Sequence, residues 1–407
     1  MLAVLRMPGV LPLFLASCVA RLPMGALSLL LVLHTKDLTG SYGRGGVAAG
    51  VFALALGLSS PPLARFVDRR GQTAVLRAGA LVCASAVIVI ALLPDGAPFG
   101  AILAASAVAG LAQPPTGACM RALWPVLVED PARRHAAYSL ESVLLEVVYM
   151  FGPVVIVAGV GTWSLKGALL TCAGCELFGN FAFSIQRTSR EWRPEGDRVP
   201  DRLGALRGPG LRVLVAVFVL CGIALGAIEV AVPALLDEVG KRDLTGLLFG
   251  FWGLGSMAAG FAVGRAGPGK DPPRRLALLL VVWGAAHAAV GFGSSPASIA
   301  LLLIAAGSAI APTFVSANGM LDHLVPRGTL TEAFTWTTTG LIAGVAVGSA
   351  LGGAITEAAS PGTSMFVLGS GGLLAAVLVA ATASGPLLPA RVRAAEAAAA
   401  RPAHPAL

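Results

Sequence analysis

The 407-residue chain is 56% hydrophobic and only 12% charged, with a mean hydropathy of +0.81. Ordinary soluble domains carry about 25% charged residues, and a soluble chain this apolar would expose large hydrophobic patches, so composition excludes a soluble globular protein. The net charge of +8 lies in short loops between apolar runs rather than on one basic face, which argues against nucleic-acid binding. These runs are about 20 residues long and do not alternate, which predicts membrane-spanning helices rather than a β-barrel.

The first apolar run begins in MLAVLRMPGVLPLFLASC, which has some features of a secretory signal peptide. It continues beyond Cys18 to about Leu33, so we interpret it as a membrane helix. Glycine, proline and charged residues separate it from further runs, and together they form two groups of six. The predicted spans are 10–33, 45–64, 74–93, 98–120, 136–158, 163–186, 211–236, 244–264, 275–293, 297–320, 331–356 and 362–386.

The predicted fold is therefore an all-α polytopic membrane protein with twelve transmembrane helices in two pseudo-symmetric six-helix bundles. The bundles are 1–187 and 211–390, joined by a polar linker at 188–210 and followed by a tail at 391–407. Twelve spans place both termini on one side, and all but six of the 29 lysines and arginines lie on that side. By the positive-inside rule this side is cytoplasmic. The excess of arginine over lysine suggests a GC-rich bacterial genome.

The two halves resemble each other in sequence. When they are shifted by about 197 positions, GLAQPPTG at Gly110–Gly117 aligns with GSAIAPTF at Gly307–Phe314. The copies have the same membrane orientation, which is the parallel-repeat arrangement of transporters that hold a substrate between their halves. Within the second half, Gly340, Gly344, Gly348 and Gly352 recur every four residues. We expect this stripe to allow close helix packing at the interface between the halves.

The two sets of six spans, the basic central linker and the segment ARFVDRRG together resemble the major facilitator superfamily. Asp68, Arg69 and Gly71 match the family signature between helices 2 and 3, although an alanine replaces its opening glycine. The resemblance implies a cytoplasmic gate loop, with Arg65, Asp68, Arg69 and Gly71, that latches the two halves together. The matching loop of the second half lacks the aspartate, so the latch is expected to be one-sided.

A second resemblance concerns the predicted fifth helix, where Gly152-Pro153 is similar to the signature of proton-driven exporters in that family. Proline removes a backbone hydrogen bond, so we expect a helix kink at this pair. The exporter branch also carries a buried arginine in helix 4, and here Gln113 stands in the corresponding stretch. The standard coupling scheme of that branch therefore does not transfer directly.

Ionisable groups inside membrane spans are costly and are candidate functional residues. The spans contain Arg21, Glu146, Glu176, Glu229 and His287. The resemblance implies that helices 1, 4, 7 and 10 line the cavity and helices 2, 5, 8 and 11 flank it, which favours Arg21, Glu146 and Glu229. Ser142, Glu146, Tyr149 and Pro153 share one helical face, where Glu146 could load and release a proton. The alternative is a structural ion pair between Glu146 and Arg21.

The remaining polar groups are open to two interpretations. Arg21 is expected to pair with Glu146 or Glu229, or to bind an anionic group of the substrate. Glu141 is expected to extend to the cytoplasmic surface, whereas Glu176 and His287 should face packing partners. Gln113 and Asn318 could contact substrate or bond between helices. The predicted coupling and substrate site thus comprises Arg21, Gln113, Glu146, Tyr149, Glu229 and Asn318.

These features predict a secondary active transporter that works by alternating access and exports a small, apolar, drug-like molecule or metabolite in exchange for protons. The alternatives are import of a small anionic nutrient through Arg21, and a non-transporting membrane sensor on the same scaffold. Expected partners are the substrate, protons and the lipid bilayer, with the chain acting as a monomer. The six cysteines lie inside spans, and no motif for a metal, a cofactor or an enzyme active site is evident in the sequence.

Overall fold

The computed structural model describes residues 5–128, 130, 137, 140, 141, 144, 147–193, 206, 208–266, 271–325 and 330–387. For residues 61, 65, 68, 125, 263–266, 322, 323 and 330–332 only the backbone is described. The described chain is helical and contains no strand within those ranges. Nine of its helices are long and apolar enough to cross a membrane, or ten when a bent pair counts as one span. The structure is therefore that of a polytopic helical membrane protein.

We number the helices α1–α12 in chain order. In the N-terminal bundle they are α1a Val10–Arg21 and α1b Leu27–Thr39, α2 Tyr42–Arg70, α3 Gln72–Leu92, α4a Phe99–Ala112 and α4b Thr116–Leu127, α5 Val147–Gly161 and α6 Leu165–Ile185. In the C-terminal bundle they are α7 Pro209–Glu238, α8 Thr245–Ala266, α9 Pro272–Val290, α10a Pro296–Gly307 and α10b Ile310–Leu324, α11 Leu330–Ala358, and α12a Pro361–Gly369 and α12b Gly371–Thr382.

The two ends of the bundles differ, and we name them by their connections. The linker end carries the turn between α2 and α3 and the short helix Arg187–Glu191 that begins the linker. The far end carries the short α1–α2, α5–α6, α9–α10 and α11–α12 connections. Four helices start there with a serine N-cap that accepts a backbone N–H bond: Ser41, Ser164, Ser295 and Ser360. These caps satisfy otherwise unpaired donors where the chain turns back into the bundle.

Four helices that were predicted to be continuous are divided, and two of the breaks, in α1 and α4, lie in the N-terminal bundle. A 3₁₀ turn at Leu22–Gly25 separates α1a from α1b, and the chain bends there by 40°. The second break lies at 113–115 between α4a and α4b, where Pro114 and Pro115 cannot donate backbone hydrogen bonds. In the first break Pro23 likewise lacks a backbone N–H, and Gly25 adds backbone freedom. Both breaks lie in the middle of the N-terminal bundle, next to the polar side chains described below.

The predicted gate loop is helix rather than loop, which corrects the sequence interpretation. Arg65, Asp68 and Arg69 lie in the last turns of α2, which ends at Arg70. The helix can extend beyond its apolar part because its backbone hydrogen bonds are made within the helix itself. Gly71 alone forms the turn, with a φ of 81° that L residues rarely adopt, and its N–H donates to the Val67 carbonyl at 2.8 Å.

The structure places Gly152 and Pro153 where α5 changes its winding. The helix is π-helical from Pro153 to Gly161, as expected when proline removes one hydrogen bond and an extra residue enters the turn. Gly152 lies against helix 1, because a side-chain carbon placed on it would be 3.0 Å from the Leu22 carbonyl oxygen and 3.3 Å from the Gly25 Cα. The pair therefore sets both the local winding and a close helix contact.

Equivalent close contacts occur in the two bundles. Gly152 packs on Gly25 in the first bundle, and in the second Gly344 packs on Gly222, where an added side-chain carbon would lie 3.0 Å from the Gly222 Cα. A second pair follows the same repeat: a side chain on Gly110 would overlap the Phe52 carbonyl, and one on Gly307 would overlap the Trp252 carbonyl. The internal repeat thus preserves backbone contacts between helices.

The glycine stripe of α11 does not lie between the bundles, contrary to the sequence expectation. Gly340, Gly344, Gly348 and Gly352 all pack against α7 within the C-terminal bundle. On α11 a different face meets the other bundle, where Gly46 and Gly50 of α2 face its backbone at Ser349 and Ala346. Small residues allow close backbone approach in both cases, but on different faces of α11.

Apolar packing joins the bundles at one end. At the far end a single buried core combines both bundles, from Leu27–Leu31 of α1b to Ile228 of α7 and Leu248 of α8. At the linker end the buried residues form two separate cores, one drawn from α1a, α4b and α6 and the other from α7, α9 and α10b. The described part of the structure is therefore closed between the bundles at the far end.

Candidate transport site

Glu229 lies at the seam between the bundles. It sits on α7 among the fully buried residues Ile228 and Val230, and Ser28 of α1b donates its hydroxyl to Glu229 Oε2 at 2.5 Å. Among the described residues no lysine or arginine lies within ion-pair distance of this carboxyl. A buried carboxylate without a cation is costly, and protonation removes that cost. The bond to Ser28 joins helices of different bundles, so a change in the charge of Glu229 can act on the contact between them.

Arg21 pairs with Glu141 rather than with Glu229, whereas Glu146, the other predicted partner, lies outside the described residues. Its Nη1 lies 2.9 Å from Glu141 Oε1, and both side chains are 3% exposed. Trp124 Nε1 donates to the other oxygen, Glu141 Oε2, at 2.8 Å. Glu141 is thus buried in a junction of α1a, α4b and the start of the fifth helix, which overturns the expectation that it extends to the surface. Bonds from two helices to one carboxylate stabilise the N-terminal bundle internally.

A second arginine approaches this junction from α4b. A side-chain carbon placed on Gly117 would lie 3.3 Å from Arg21 Nη1 and 3.9 Å from Arg121 Nη2. Arg121 itself is exposed, one helical turn beyond Gly117. Arg121 was not among the predicted site residues, although the family resemblance implied that its helix lines the cavity.

Gln113 bonds between helices at the break in α4. Its Nε2 donates to Glu176 Oε1 at 2.5 Å, and Asn180 Nδ2 donates to Glu176 Oε2 at 3.0 Å. Thr116 completes the network by donating to Asn180 Oδ1 at 2.6 Å, and the Cys83 thiol donates to Gln113 Oε1 at 3.4 Å. Glu176 therefore faces packing partners, as expected, and Gln113 holds α4, α3 and α6 together.

The C-terminal bundle has an aromatic cluster in place of such a network. His287 is buried, stacks on Trp283 with ring centroids 4.8 Å apart, and shares a 2.9 Å hydrogen bond between its Nδ1 and the Trp283 carbonyl. Phe314 of α10b lies 5.6 Å from the Trp283 ring. Asn318, one turn further, is half-buried, and its Oδ1 has no hydrogen-bond partner in the described structure. Tyr149 of α5 is 53% exposed.

Some predicted residues cannot be placed. Glu146, the predicted proton carrier, and Ser142 on its face lie outside the described residues. For Arg65 and Asp68 the structure describes only the backbone, which is helical. Of the predicted coupling and substrate site, the structure describes every residue except Glu146, and of these only Glu229 is a carboxylic acid.

Polar contacts also close the far end between the bundles. Tyr42 donates its hydroxyl to Asp237 Oδ2 at 3.1 Å, and Lys36 Nζ lies 3.4 Å from the same oxygen. Arg242 pairs with Asp37 at 2.5 Å and also donates to the Leu33 carbonyl at 2.8 Å. A further hydrogen bond joins Ser41 to Glu357. All these contacts cross from α1b or α2 to α7, α11 or the α7–α8 connection, so they must break if this end opens.

Apolar helices in two six-helix bundles are the architecture of polytopic membrane transporters. The sequence profile of the Major Facilitator Superfamily matches residues 13–275. Because this match covers more than half of the chain, the protein belongs to that superfamily. The family resemblance carried by the ARFVDRRG segment and the two six-helix groups is thereby confirmed at the level of the superfamily.

Several solved transporters have the same fold. The nucleoside transporter NupG aligns over 91% of this chain and 98% of its own, with a TM-score of 0.75 and 12% identity. A POT family transporter in complex with 5-aminolevulinic acid aligns over 93% of this chain and 96% of its own, with a TM-score of 0.71 and 10% identity. A peptide transporter POT aligns over 94% of this chain and 96% of its own, with a TM-score of 0.70 and 14% identity. At these identities the similarity shows the fold alone. The comparison with curated proteins returned no match.

Proposed function

We propose that the protein is a proton-coupled secondary transporter in which Glu229 carries the proton. The observation that supports this role is the position of Glu229 between the bundles, bonded to Ser28 of the other bundle and without a cationic partner in the described structure. A neutral carboxyl can stay in this apolar seam, whereas the charged form favours water. Deprotonation would therefore favour opening of the seam, which links proton release to the change of access.

The proposed cycle is alternating access between 1–187 and 211–390 as the two moving units, with 188–210 as their connection. The distribution of lysine and arginine favours a cytoplasmic linker end with both termini on that side. In this orientation the structure, joined at the far end and divided into two cores at the linker end, corresponds to a state open to the cytoplasm. The far-end contacts of Tyr42, Lys36 and Arg242 would then form the outer gate.

The proposed direction is export of a small, largely apolar molecule across the cell membrane. Its support is the resemblance of Gly152-Pro153 to the exporter signature and the low charge of the helices that face the seam. The Gly152–Gly25 contact has a counterpart in the second bundle, where no proline follows the glycine. The support from this pair therefore lies in Pro153 and its π-helical segment rather than in the glycine contact.

The test is efflux of a panel of dyes and antibiotics from bacteria depleted of their own exporters. Cells with the wild type, Glu229→Gln and Glu229→Asp are compared with and without an uncoupler. Energy-dependent efflux should fall at least about tenfold in Glu229→Gln and be partly restored in Glu229→Asp, since only the latter can be deprotonated. Glu238→Gln, on the same helix but exposed at its end, is the matched control and should behave as wild type. Uncoupler-sensitive efflux by Glu229→Gln would overturn the role of Glu229.

A further inference from the structure

Among the described residues, the junction around Arg21 contains more positive than negative charge. Arg21 and Arg121 approach each other across Gly117, and the described structure places only one carboxylate, Glu141, in contact with either of them. Arginine stays protonated in proteins, so it cannot neutralise itself as a buried lysine or histidine can. A second negative group at this place would therefore be stabilised by charge.

Unused hydrogen-bond donors point to the same place. Arg21 uses Nε for the Ser17 carbonyl at 3.3 Å and Nη1 for Glu141, but its buried Nη2 has no partner in the described structure. The hydroxyl of Ser17, one turn earlier on the same helical face, is also buried without a partner. A buried donor left unsatisfied costs about 1–3 kcal/mol, and more when it is charged. Such a cost is relieved by a ligand with acceptor oxygens.

Gly117 lies beside both guanidinium groups. Gly117 has no side chain, and any side chain there would fill the space beside both guanidinium groups. Arg121 is exposed on α4b, so it can meet an incoming anion before the buried Nη2 of Arg21 does. Planar guanidinium groups match the two oxygens of a carboxylate or phosphate group.

We propose that Arg21 and Arg121 bind an anionic group of the transported molecule, so the substrate is an organic anion with an otherwise apolar body. This inference rests on the proposed transport function and specifies its substrate class. Glu141 holds Arg21 in place through Nη1 and leaves the Nη2 edge for the ligand. Arg121 supplies the second positive charge, and Gly117 supplies the room between them.

The experiment measures the thermal stabilisation of the purified full-length protein by small probes. Benzoate, phenylphosphonate and inorganic phosphate are compared with benzamide, a neutral molecule of the same shape as benzoate. A ligand that binds only the folded state raises the unfolding midpoint, and the stabilisation grows with the logarithm of one plus the ratio of ligand concentration to Kd. We expect the anions to stabilise the wild type, whereas benzamide does not.

The variants locate this effect. Arg121→Gln should raise the dissociation constant for benzoate at least about tenfold, because charge-assisted bonds are lost. Gly117→Leu should do the same by filling the space without any change of charge. Arg190→Gln, which removes an exposed arginine from the short helix Arg187–Glu191, is the matched control and should bind as wild type. The proposal is overturned if benzamide binds as well as benzoate, if no anion stabilises the protein, or if Arg121→Gln binds the anions unchanged.

This result separates the anion site from proton coupling. Binding at equilibrium needs no proton gradient, so Glu229→Gln should keep the difference between benzoate and benzamide. If Arg121→Gln loses that difference while Glu229→Gln keeps it, the anion site is supported, whatever the transport assay shows for Glu229. Conversely, uncoupler-sensitive export of neutral compounds combined with no anion binding would support the transport function and reject the anion site.

Discussion

The far end and the linker end of the molecule hold their bundles together in different ways. At the far end, one apolar core, the α2–α11 glycine contact and the hydrogen bonds of Tyr42, Arg242 and Ser41 all cross between the bundles. At the linker end, polar bonds such as Arg21–Glu141 stay inside one bundle, and each bundle has its own core. The difference indicates that each bundle has its own stable interior at the linker end. The contacts that join the bundles lie at the far end, and these are the contacts that would break when that end opens.

The largest effect is expected from a change that prevents far-end contact. A side chain on Gly46 would overlap the Ser349 carbonyl of α11, and the backbone there cannot move aside as a side chain could. Overpacking costs about 1–3 kcal/mol, so Gly46→Leu should lower the population of the far-end-closed state by about tenfold. The measurement is the rate at which a membrane-impermeant maleimide labels Thr356→Cys on α11, which should rise.

Gly57→Leu provides the control for that substitution. A side chain at Gly57 meets only the Ile342 side chain, at 3.1 Å, which can rotate away. Its labelling rate should stay close to that of the parent protein. If Gly46→Leu and Gly57→Leu behave alike, backbone contact between α2 and α11 does not control closure.

A second change should destabilise one bundle and leave the seam intact. Glu141→Gln removes the carboxylate that Arg21 and Trp124 share, and breaking a buried ion pair costs about 3–5 kcal/mol. We expect a clear fall in the unfolding midpoint of the purified protein. The exposed pair Arg187–Glu191 in the linker supplies the comparison, because Glu191→Gln should change stability by less than about 1 kcal/mol. Equal midpoints for the two variants would contradict the structural role of the Arg21 junction.

The smallest effect is expected from the removal of one hydroxyl group at the far end. Tyr42→Phe removes the bonds to Asp237 and to the Pro233 carbonyl but keeps the packing of the ring. A hydrogen bond contributes about 0.5–1.5 kcal/mol, so the labelling of Thr356→Cys should increase a few-fold. Ser60→Ala removes a hydroxyl that bonds only within α2, to the Leu56 carbonyl, and should leave the labelling rate unchanged. A rate for Tyr42→Phe equal to that of the parent would show that the outer gate depends on packing alone.

Hydropathy predicted the all-helical polytopic fold, and the repeated glycines predicted close helix contacts, because lipid imposes both requirements on the sequence. Helix ends were less predictable: α2 runs on to Arg70 although its apolar part ends near residue 60. The break in α1 was signalled by Pro23 and Gly25, but a hydropathy pattern carries no information on backbone direction.

The choice of partners was not readable from the sequence. Side chains on a helix point back toward its N-terminus, so Arg21 reaches toward the linker end, where Glu141 lies near the start of the fifth helix.

The repeat was also a poor guide to polar content. Thr116 belongs to the Glu176 network, whereas its counterpart Thr313 adjoins the aromatic cluster of Trp283 and His287 and has no partner for its buried hydroxyl in the described structure. The repeat preserves backbone contacts while each bundle fills its interior differently.

The most direct test of the central claim compares two modes of transport by Glu229→Gln in proteoliposomes. One mode is accumulation driven by a pH gradient, and the other is exchange of labelled for unlabelled substrate at equal pH. Exchange needs only alternation of the loaded carrier, whereas accumulation needs a carboxyl that can lose its proton. We expect gradient-driven accumulation by Glu229→Gln to fall at least about tenfold and exchange to be retained. Accumulation by Glu229→Gln that still follows the pH gradient would contradict it.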